Sequence, residues 1–311
     1  MEKEDKNSGK DRIRNEGQKR VGEAERIIKD GIFVKNEYGQ QDETYRIKMQ
    51  ILNNDRTLAK MNKAEHLLLH WDCDLSVQIH SANLLGNDNA KEFPTILTNQ
   101  TELYWLDMPR CLAKHVNSAS FLSTLRGLRI DNGDLKLRND VVMENLLYLS
   151  TGSGNAYFTK ENLPSLRSLS CKYHEGLLSE LYNYELFDHL SLHTVHNNIF
   201  DEINRIRDLY GLQIIRGKLE SIQGISSIKS LHAVELDDLP KLTNLDDLTE
   251  LPDLAYLEVG YCKHIKDWDF LLELKKLKVL YIIASSYKDY PPQQVLDTLR
   301  EKGIKAPLKG A

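Results

Sequence analysis

The sequence has few of the features that mark secreted, membrane-spanning or nucleic-acid-binding proteins. Four cysteines among 311 residues, with no Cys-x-x-Cys pair, are too few for a disulfide framework. The longest apolar runs have six residues, as in Val279–Ala284, whereas a membrane-spanning helix needs about 20. A net charge of −5 gives no general attraction to phosphate backbones, so we expect neither a membrane nor a nucleic acid as partner.

The first thirty residues differ in composition from the rest of the chain. They contain nine Lys or Arg, eight Asp or Glu and few apolar side chains. Such a segment cannot bury enough apolar surface to offset the entropy lost on ordering, so we predict a charged, mobile leader over residues 1–30. The same charge is untypical of a secretory signal, and we therefore expect a cytoplasmic protein.

The pattern Leu-x-x-Leu-x-Leu recurs along most of the chain. Its leading positions are Leu103, Leu125, Leu146, Leu166, Phe187, Leu209, Leu231, Leu254 and Leu277. Successive leading positions are 20 to 23 residues apart, a regularity that chance clustering of leucine would not maintain. One such unit cannot bury its apolar face alone, so the pattern predicts stacked repeats that share a continuous core.

With these motifs the sequence resembles the leucine-rich repeat family, in particular the short repeats of bacterial internalin-like proteins. The fullest match is Leu254-x-x-Leu257-x-Val259-x-x-Cys262-x-x-Ile265. The resemblance covers residues 101–285. It implies an α/β repeat solenoid, that is, a curved leucine-rich repeat array with a parallel concave β-sheet.

Both ends of a repeat array need covers. We predict an N-terminal cover followed by an irregular insertion over residues 31–100, with a strand where apolar and polar residues alternate in Tyr45–Ile51. Residues 286–311 are predicted to form the C-terminal cap. Its early Pro291, spaced apolar residues and Gly303 are typical of an amphipathic capping helix.

The residues between the inward-facing leucines should lie on the concave side of the sheet, because side chains alternate along a strand. The partner-binding candidates among them are Trp105, Arg129, Lys172, His193, Glu235, Asp237, Tyr256, Glu258, Tyr281 and the adjacent Tyr261. Aromatic residues beside charges are typical of protein interfaces. The alternative is an ordinary solvated face. We predict that six of these residues form the centre of contact: Glu235, Asp237, Tyr256, Glu258, Tyr261 and Tyr281.

The charge is unevenly distributed near the C-terminus. Residues 235–273 contain eleven Asp or Glu and three Lys, while residues 275–311 contain eight Lys or Arg and three Asp or Glu. An acidic, tyrosine-bearing surface favours a protein partner with a basic patch. A solvated acidic flank is the competing interpretation.

Four histidines and four cysteines were considered as chemical centres. His189, His193 and His196 would share one side of a helix, as zinc binding can require, with His174 one repeat earlier. The leucine pattern instead predicts a strand, on which His196 lies beyond the other two. Cys73, Cys111, Cys171 and Cys262 occupy mostly inward repeat positions and are interpreted as structural thiols. We therefore assign no metal, cofactor or catalytic residue.

The leading hypothesis is a non-catalytic protein-binding module. A narrower hypothesis, which rests on the resemblance, is an intracellular inhibitor or immunity protein that neutralises a toxin. One alternative is a delivered effector or adaptor that selects a host protein. The other is a metal-dependent protein centred on the histidines.

Overall fold

The structure is a computed structural model that describes residues 32–34, 47–51, 79–85, 89–93, 95–98 and 103–306. The chain divides into two compact units, Met1–Gly133 with Met143–Leu146 and Asp134–Val142 with Leu147–Ala311. The predicted leader, most of the predicted N-terminal cover and Cys73 lie outside the described residues. In the described part of the chain, no helix is both long and apolar enough to cross a bilayer.

The described part of the first unit contains five strands, adjacent in chain order. They are β1 (Ile32–Val34), β2 (Ile47–Ile51), β3 (Ile79–Asn83), β4 (Trp105–Pro109) and β5 (Gly127–Asp131). β1 and β2 are antiparallel, and every later neighbour pairs in parallel. The short helices here are α1 (Thr95–Thr98) and the 3-10 helices Arg110–Ser118 and Ser120–Thr124.

Two sequence predictions concern this unit. The strand predicted at Tyr45–Ile51 is confirmed over its last five residues as β2. The stretch interpreted as an irregular insertion contains β3, whose Ser81 and Ala82 align with Trp105 and Leu106 of β4. A parallel strand is therefore present where the sequence showed only polar residues and turn signals.

The second unit contains one parallel sheet of seven strands within the described residues. In spatial order they are β7 (Tyr148–Ser150), β9 (Ser168–Lys172), β10 (His189–Val195), β11 (Gly211–Gly217), β12 (Ala233–Asp237), β13 (Tyr256–Gly260) and β14 (Val279–Ile283). A separate parallel pair is formed by β6 (Leu135–Lys136) and β8 (Ala156–Tyr157).

Short helices connect the strands of the second unit. The α-helices are α2 (Leu177–Leu181), α3 (Phe200–Ile203) and α4 (Gln293–Glu301). The 3-10 helices are Ile225–Ser227, Asp246–Glu250, Asp269–Leu272 and Tyr287–Asp289. The acidic residues Asp246, Asp247 and Glu250 thus lie on a connecting segment and not on the sheet.

The core consists of apolar rows that run across the sheet at right angles to the strands. One row, in register, is Leu190, Leu212, Val234, Leu257 and Leu280, all buried. Every leading residue of the sequence pattern is buried as well. Each such side chain contributes roughly 1.5–3 kcal/mol relative to exposure. The predicted leucine-rich repeat fold is confirmed.

In the described part of the second unit, four strands have a residue with left-handed backbone conformation at or just beyond their carboxyl end. Thr194, Arg216, Asp238 and Tyr261 have φ of 64°, 61°, 53° and 50°. Each stands four residues after a buried residue of the same row; the first two precede the last residue of their strands, and the other two directly follow theirs. For a residue with a Cβ, this conformation costs roughly 1–2 kcal/mol.

The C-terminal helix α4 covers the last repeat, which confirms the predicted capping helix. It begins after Pro292, buries Val295, Leu296 and Leu299, and ends before Gly303, which has φ of 80°. The chain then pairs with β14. The amide of Leu280 donates to the carbonyl of Lys305 over 2.9 Å, and Lys305 donates to Lys278 over 2.8 Å.

Candidate functional site

The last three strands of the second unit bring five of the six predicted central residues onto one sheet face. Glu235, Glu258 and Tyr281 are aligned across β12, β13 and β14. Asp237 and Tyr256 lie two residues from this row on their own strands, and residues two apart share a face. We call these residues, together with Tyr261, the C-terminal patch: Glu235, Asp237, Tyr256, Glu258, Tyr261 and Tyr281.

Tyr261 is the sixth predicted residue and lies just beyond β13. Its left-handed backbone ends the strand, and 47% of its surface is exposed. Its amide donates to the carbonyl of Ile283 over 2.7 Å, which fixes its backbone to the neighbouring strand. Tyr261 therefore occupies the end of the patch, as the sequence predicted from its position beside the strand.

The aromatic part of the patch is held by contacts within it. The hydroxyl of Tyr256 donates to Oε2 of Glu258 over 2.7 Å, and its ring centroid lies 5.8 Å from that of Tyr281. Burial, followed by the hydrogen bond and charge of Glu258, raises the pKa of Tyr256. The phenol therefore remains a hydrogen-bond donor at neutral pH.

In the described part of the chain, the carboxylates of the patch form no ion pair, although the charge of nearby Arg216 acts to lower the pKa of Asp237. None of the ion pairs among the described residues includes Glu235, Asp237 or Glu258. The pKa of Glu235 is raised first by burial and then by the charge of Glu258. The pKa of Asp237 is raised first by burial and then by Asp238 and Glu258. These carboxylates repel one another on a half-buried surface.

Asp237 is packed closely against the neighbouring strand. Its Oδ1 is buried and has no hydrogen-bond partner among the described residues. A Cβ at Gly260, which aligns with Asp237 on β13, would lie 2.1 Å from this oxygen. Gly260 is therefore required for the position of the Asp237 carboxylate.

Hydrogen bonds connect the patch to the preceding strands. Ser191 donates from Oγ to Oε1 of Gln213 over 2.6 Å, and Gln213 donates from Nε2 to Oε2 of Glu235 over 2.5 Å. These three side chains belong to β10, β11 and β12 and are aligned in register. The bonds set the orientation of the Gln213 amide and leave Oε1 of Glu235 available.

The remaining predicted residues lie elsewhere on the two units. Lys172 and His193 are aligned on β9 and β10 of the second unit, and burial followed by the charge of Arg216 lowers the pKa of His193. Trp105 and Arg129 belong to the first unit, on β4 and β5. The Trp105 ring lies over Gly127, where a Cβ would approach it to 2.1 Å.

A groove on the same face of the second unit was not predicted from the sequence. In one register row, Gly211 and Ala233 lie between His189 and Tyr256. A cavity of about 620 Å³ lies here, and the His189 ring leans over its Gly211 side, where a Cβ would stand 2.6 Å from Cδ2. We call it the Gly211 groove. The sequence feature that could have predicted this groove is the pair Gly211 and Ala233, two small residues at outward positions of successive repeats.

A smaller cavity, of about 440 Å³, lies at the carboxyl ends of the strands. Its lining includes Arg216, Asp238 and Tyr261, three of the residues with left-handed backbone. Arg216 and Asp238 form an exposed ion pair with Nε and Oδ2 3.4 Å apart. The lining also includes Asp237, Lys263 and Asp289, so two cationic and three anionic side chains face this cavity.

The histidines lie where the strand interpretation places them. His189 and His193 share one face of β10, whereas the exposed His196 follows its end. In the described part of the chain, no group of three His, Cys, Asp or Glu residues could hold a metal ion. Cys171 and Cys262 are buried thiols, and burial raises the pKa of each to about 12. Cys111 is only partly buried, contrary to its predicted inward position.

No protein-family model and no curated protein sequence matches this chain. Among solved structures, 52 chains match. Internalin C2 from Listeria monocytogenes is 14% identical over 52% of this chain and 73% of that chain, with a TM-score of 0.39. The internalin InlF from Listeria monocytogenes is 18% identical over 63% and 74%, with a TM-score of 0.37.

A third similar structure is the plant peptide hormone receptor RGFR1, in complex with RGF2. It is 12% identical over 77% of this chain and 50% of that chain, with a TM-score of 0.33. The chain thus spans about half of the receptor structure. At these identities and TM-scores, no function is transferred from the three structures.

Proposed function

We propose that this chain is a non-catalytic protein-binding protein whose C-terminal patch binds a basic surface of another protein. The observation that supports this is that Tyr256 and Tyr281 share one sheet face with the carboxylates of Glu235, Asp237 and Glu258, which form no ion pair in the described part of the chain. Tyrosines supply large contact areas at little cost in side-chain entropy.

The carboxylates determine which kind of protein surface the patch prefers. Their mutual repulsion is relieved when a cationic surface approaches, and an acidic surface attracts such a partner before contact. Part of each carboxylate is already removed from water, so binding a cation costs less additional desolvation there than at a fully exposed group. A basic protein surface therefore fits both the charge and the burial of the patch.

The test begins with affinity capture from native lysate and identification of the bound protein. The purified partner is then titrated against wild type and a Tyr256→Ala, Glu258→Lys double variant. We expect the double variant to lose affinity while its circular dichroism and melting temperature stay close to wild type. A normally folded variant with unchanged affinity would overturn the assignment and direct attention to Trp105, Arg129, Lys172 and His193.

The narrower hypothesis, an intracellular inhibitor or immunity protein, stays a prediction. It requires that the captured partner be a toxin and that its activity be lost at a one-to-one ratio with this chain. A host protein whose activity is unchanged in the complex would instead support the effector or adaptor alternative. The same captured complex therefore separates the two.

A further inference from the structure

The Gly211 groove is shaped by a change in side-chain size along one register row. His189, Gly211, Ala233 and Tyr256 occupy equivalent positions on β10, β11, β12 and β13. Neighbouring strands lie about 4.8 Å apart, so the backbones of the two ring-bearing residues are separated by about 14 Å. The His189 ring lies over Gly211, where a Cβ would stand only 2.6 Å from its Cδ2, so the uncovered part of the floor is the methyl group of Ala233. A flat or extended side chain can therefore enter between two rings.

One end of the groove is aromatic. Tyr210 and His232 precede β11 and β12, and their rings are stacked with centroids 4.5 Å apart. The ring of His189 lies 5.7 Å from Tyr210. His232 donates from Nδ1 to the carbonyl of Ser230 over 2.8 Å, which fixes the plane of the stack. The aromatic end is thus formed before any partner binds.

The other end is acidic. Gln213 and Glu235 lie two residues beyond Gly211 and Ala233 on the same strands, and the Gln213 amide holds only Oε2 of Glu235. Glu258 is aligned with Glu235 on the next strand. The backbones of these two residues lie about 5 Å apart. Glu235 lines the groove, and Glu258 lies beside it on the next strand.

Lys278 is the cation that lines the groove in the described part of the chain. It immediately precedes Val279, which aligns with Tyr256. On β14 the residue aligned with Glu235 and Glu258 is Tyr281. Tyr281 follows Lys278 by three residues, which is about 10 Å along the strand. The basic and acidic groups thus lie at opposite ends, so Lys278 does not neutralise the Glu235 end.

We propose that the Gly211 groove receives an arginine side chain of the bound partner, with its guanidinium group against Glu235 and Glu258. This inference rests on the proposed function, because it names the chemical group by which the partner is recognised. The aliphatic part of the arginine crosses Ala233, between the rings of His189 and Tyr256, and its guanidinium lies beside the Tyr256 ring.

Arginine fits these surroundings better than lysine for two reasons. Its guanidinium is planar and donates several hydrogen bonds in one plane, which suits two neighbouring carboxylates. It also stacks on aromatic rings and is more weakly hydrated than an ammonium group. The groove offers Tyr256 on one side and carboxylates at the end, so both properties are used.

The experiment uses the full chain and a capped arginine, N-acetyl-arginine methylamide, followed by NMR of the backbone amides. We expect saturable shifts at Gly211, Ala233 and Glu235, with lysine in the same capped form binding about fivefold more weakly. The capped citrulline, which has nearly the same shape and no charge, should produce no saturable shifts. Equal shifts from citrulline and arginine would overturn the proposal.

Three variants give the matched controls. Ala233→Leu fills the groove without changing charge, and Glu235→Gln removes charge with little change of shape; each should weaken the capped arginine about tenfold or more. Ala284→Leu adds the same bulk at the carboxyl end of the sheet, outside the groove, and should bind as wild type. Circular dichroism and melting establish that each variant is folded.

The same variants separate failure of this inference from failure of the proposed function. A captured partner that requires Tyr256 yet binds Ala233→Leu as tightly as wild type would overturn the arginine assignment and leave the C-terminal patch standing. A partner insensitive to both Tyr256→Ala and Ala233→Leu would overturn both. Loss of partner binding in Ala233→Leu, but not in Ala284→Leu, is the expected result.

Discussion

The hydroxyl of Tyr256 donates a hydrogen bond to Glu258, two residues later on β13, across 2.7 Å. The bond connects a neutral aromatic ring to an ionised carboxylate on the same sheet face. Each side chain restricts the other, so less conformational freedom remains to be lost when a partner binds. The pair is thus a pre-organised contact element, and its two halves have separable effects.

Replacing Tyr256 should reveal the contribution of the ring. We expect Tyr256→Ala to weaken partner binding by about 30-fold, or roughly 2 kcal/mol, because a central aromatic contact is lost. Tyr256→Phe keeps the ring and should lose much less. Isothermal titration calorimetry with the purified partner measures both. An equal loss in the two variants would assign the effect to the hydroxyl group instead.

Replacing Glu258 should act mainly on the rate of association. We expect Glu258→Gln to lower the association rate constant several-fold at low salt, with the difference shrinking as salt is added. Stopped-flow mixing at two salt concentrations measures this. Glu250→Gln is the matched control, since Glu250 lies on a connecting 3-10 helix and not on the sheet face. A similar rate loss in the control would indicate a diffuse charge effect.

Glu235 should make folding stability depend on pH. Its pKa is raised by burial and then by the charge of Glu258, against the hydrogen bond from Gln213; Asp237 raises it and His189 lowers it by smaller amounts. A carboxyl with a higher pKa in the folded state binds more protons there, so stability falls as pH rises through the interval between the two pKa values. We expect Glu235→Gln to melt above wild type at pH 7, with a smaller difference at pH 4.

Glu220 provides a control of opposite sign for this effect. The hydrogen bond and charge of Lys241 lower the pKa of Glu220. Its ionised form is therefore favoured in the folded protein, and Glu220→Gln should melt slightly below wild type at pH 7. Thermal unfolding at the two pH values tests both variants. A pH-independent gain in Glu235→Gln would contradict the electrostatic explanation.

Thr194 offers a test of the left-handed turn that ends the strands. Its φ is 64°, a conformation that β-branched residues tolerate poorly. Thr194→Gly should relieve about 1–2 kcal/mol of backbone strain. The greater freedom of glycine in the unfolded chain costs roughly 0.5–1 kcal/mol, so we expect the free energy of unfolding to rise by about 0.5–1 kcal/mol. Urea unfolding measures this gain. Thr194→Ala keeps the Cβ, so its stability should increase less than that of Thr194→Gly. An equal increase in both variants would show that the threonine side chain beyond Cβ causes the strain.

The repeat period made much of the second unit predictable. A buried residue such as Leu257 fixes the strand, and side-chain alternation then places Tyr256 and Glu258 on the opposite face. The C-terminal patch followed from this simple geometry. The same reasoning failed for β3, because its buried apolar residue Ala82 is small and the adjacent Ser81 and Asn83 are residue types common in turns.

The Gly211 groove required information that a single repeat does not contain. Its walls and floor come from four strands, and only their register shows that two small residues stand side by side between rings. The bond from Gln213 to Glu235 likewise joins side chains 22 residues apart. Side-chain orientation across repeats depends on neighbouring contacts, and no local pattern encodes it.

The pairing of Lys305 with β14 has a consequence for self-association. A terminal strand with unpaired N–H and C=O groups is a template on which another chain can add a strand. The bonds between Lys305 and residues 278 and 280 occupy this template along part of β14, the strand on which Tyr281 stands. This pairing therefore hinders copies of this chain from extending the sheet beside Tyr281.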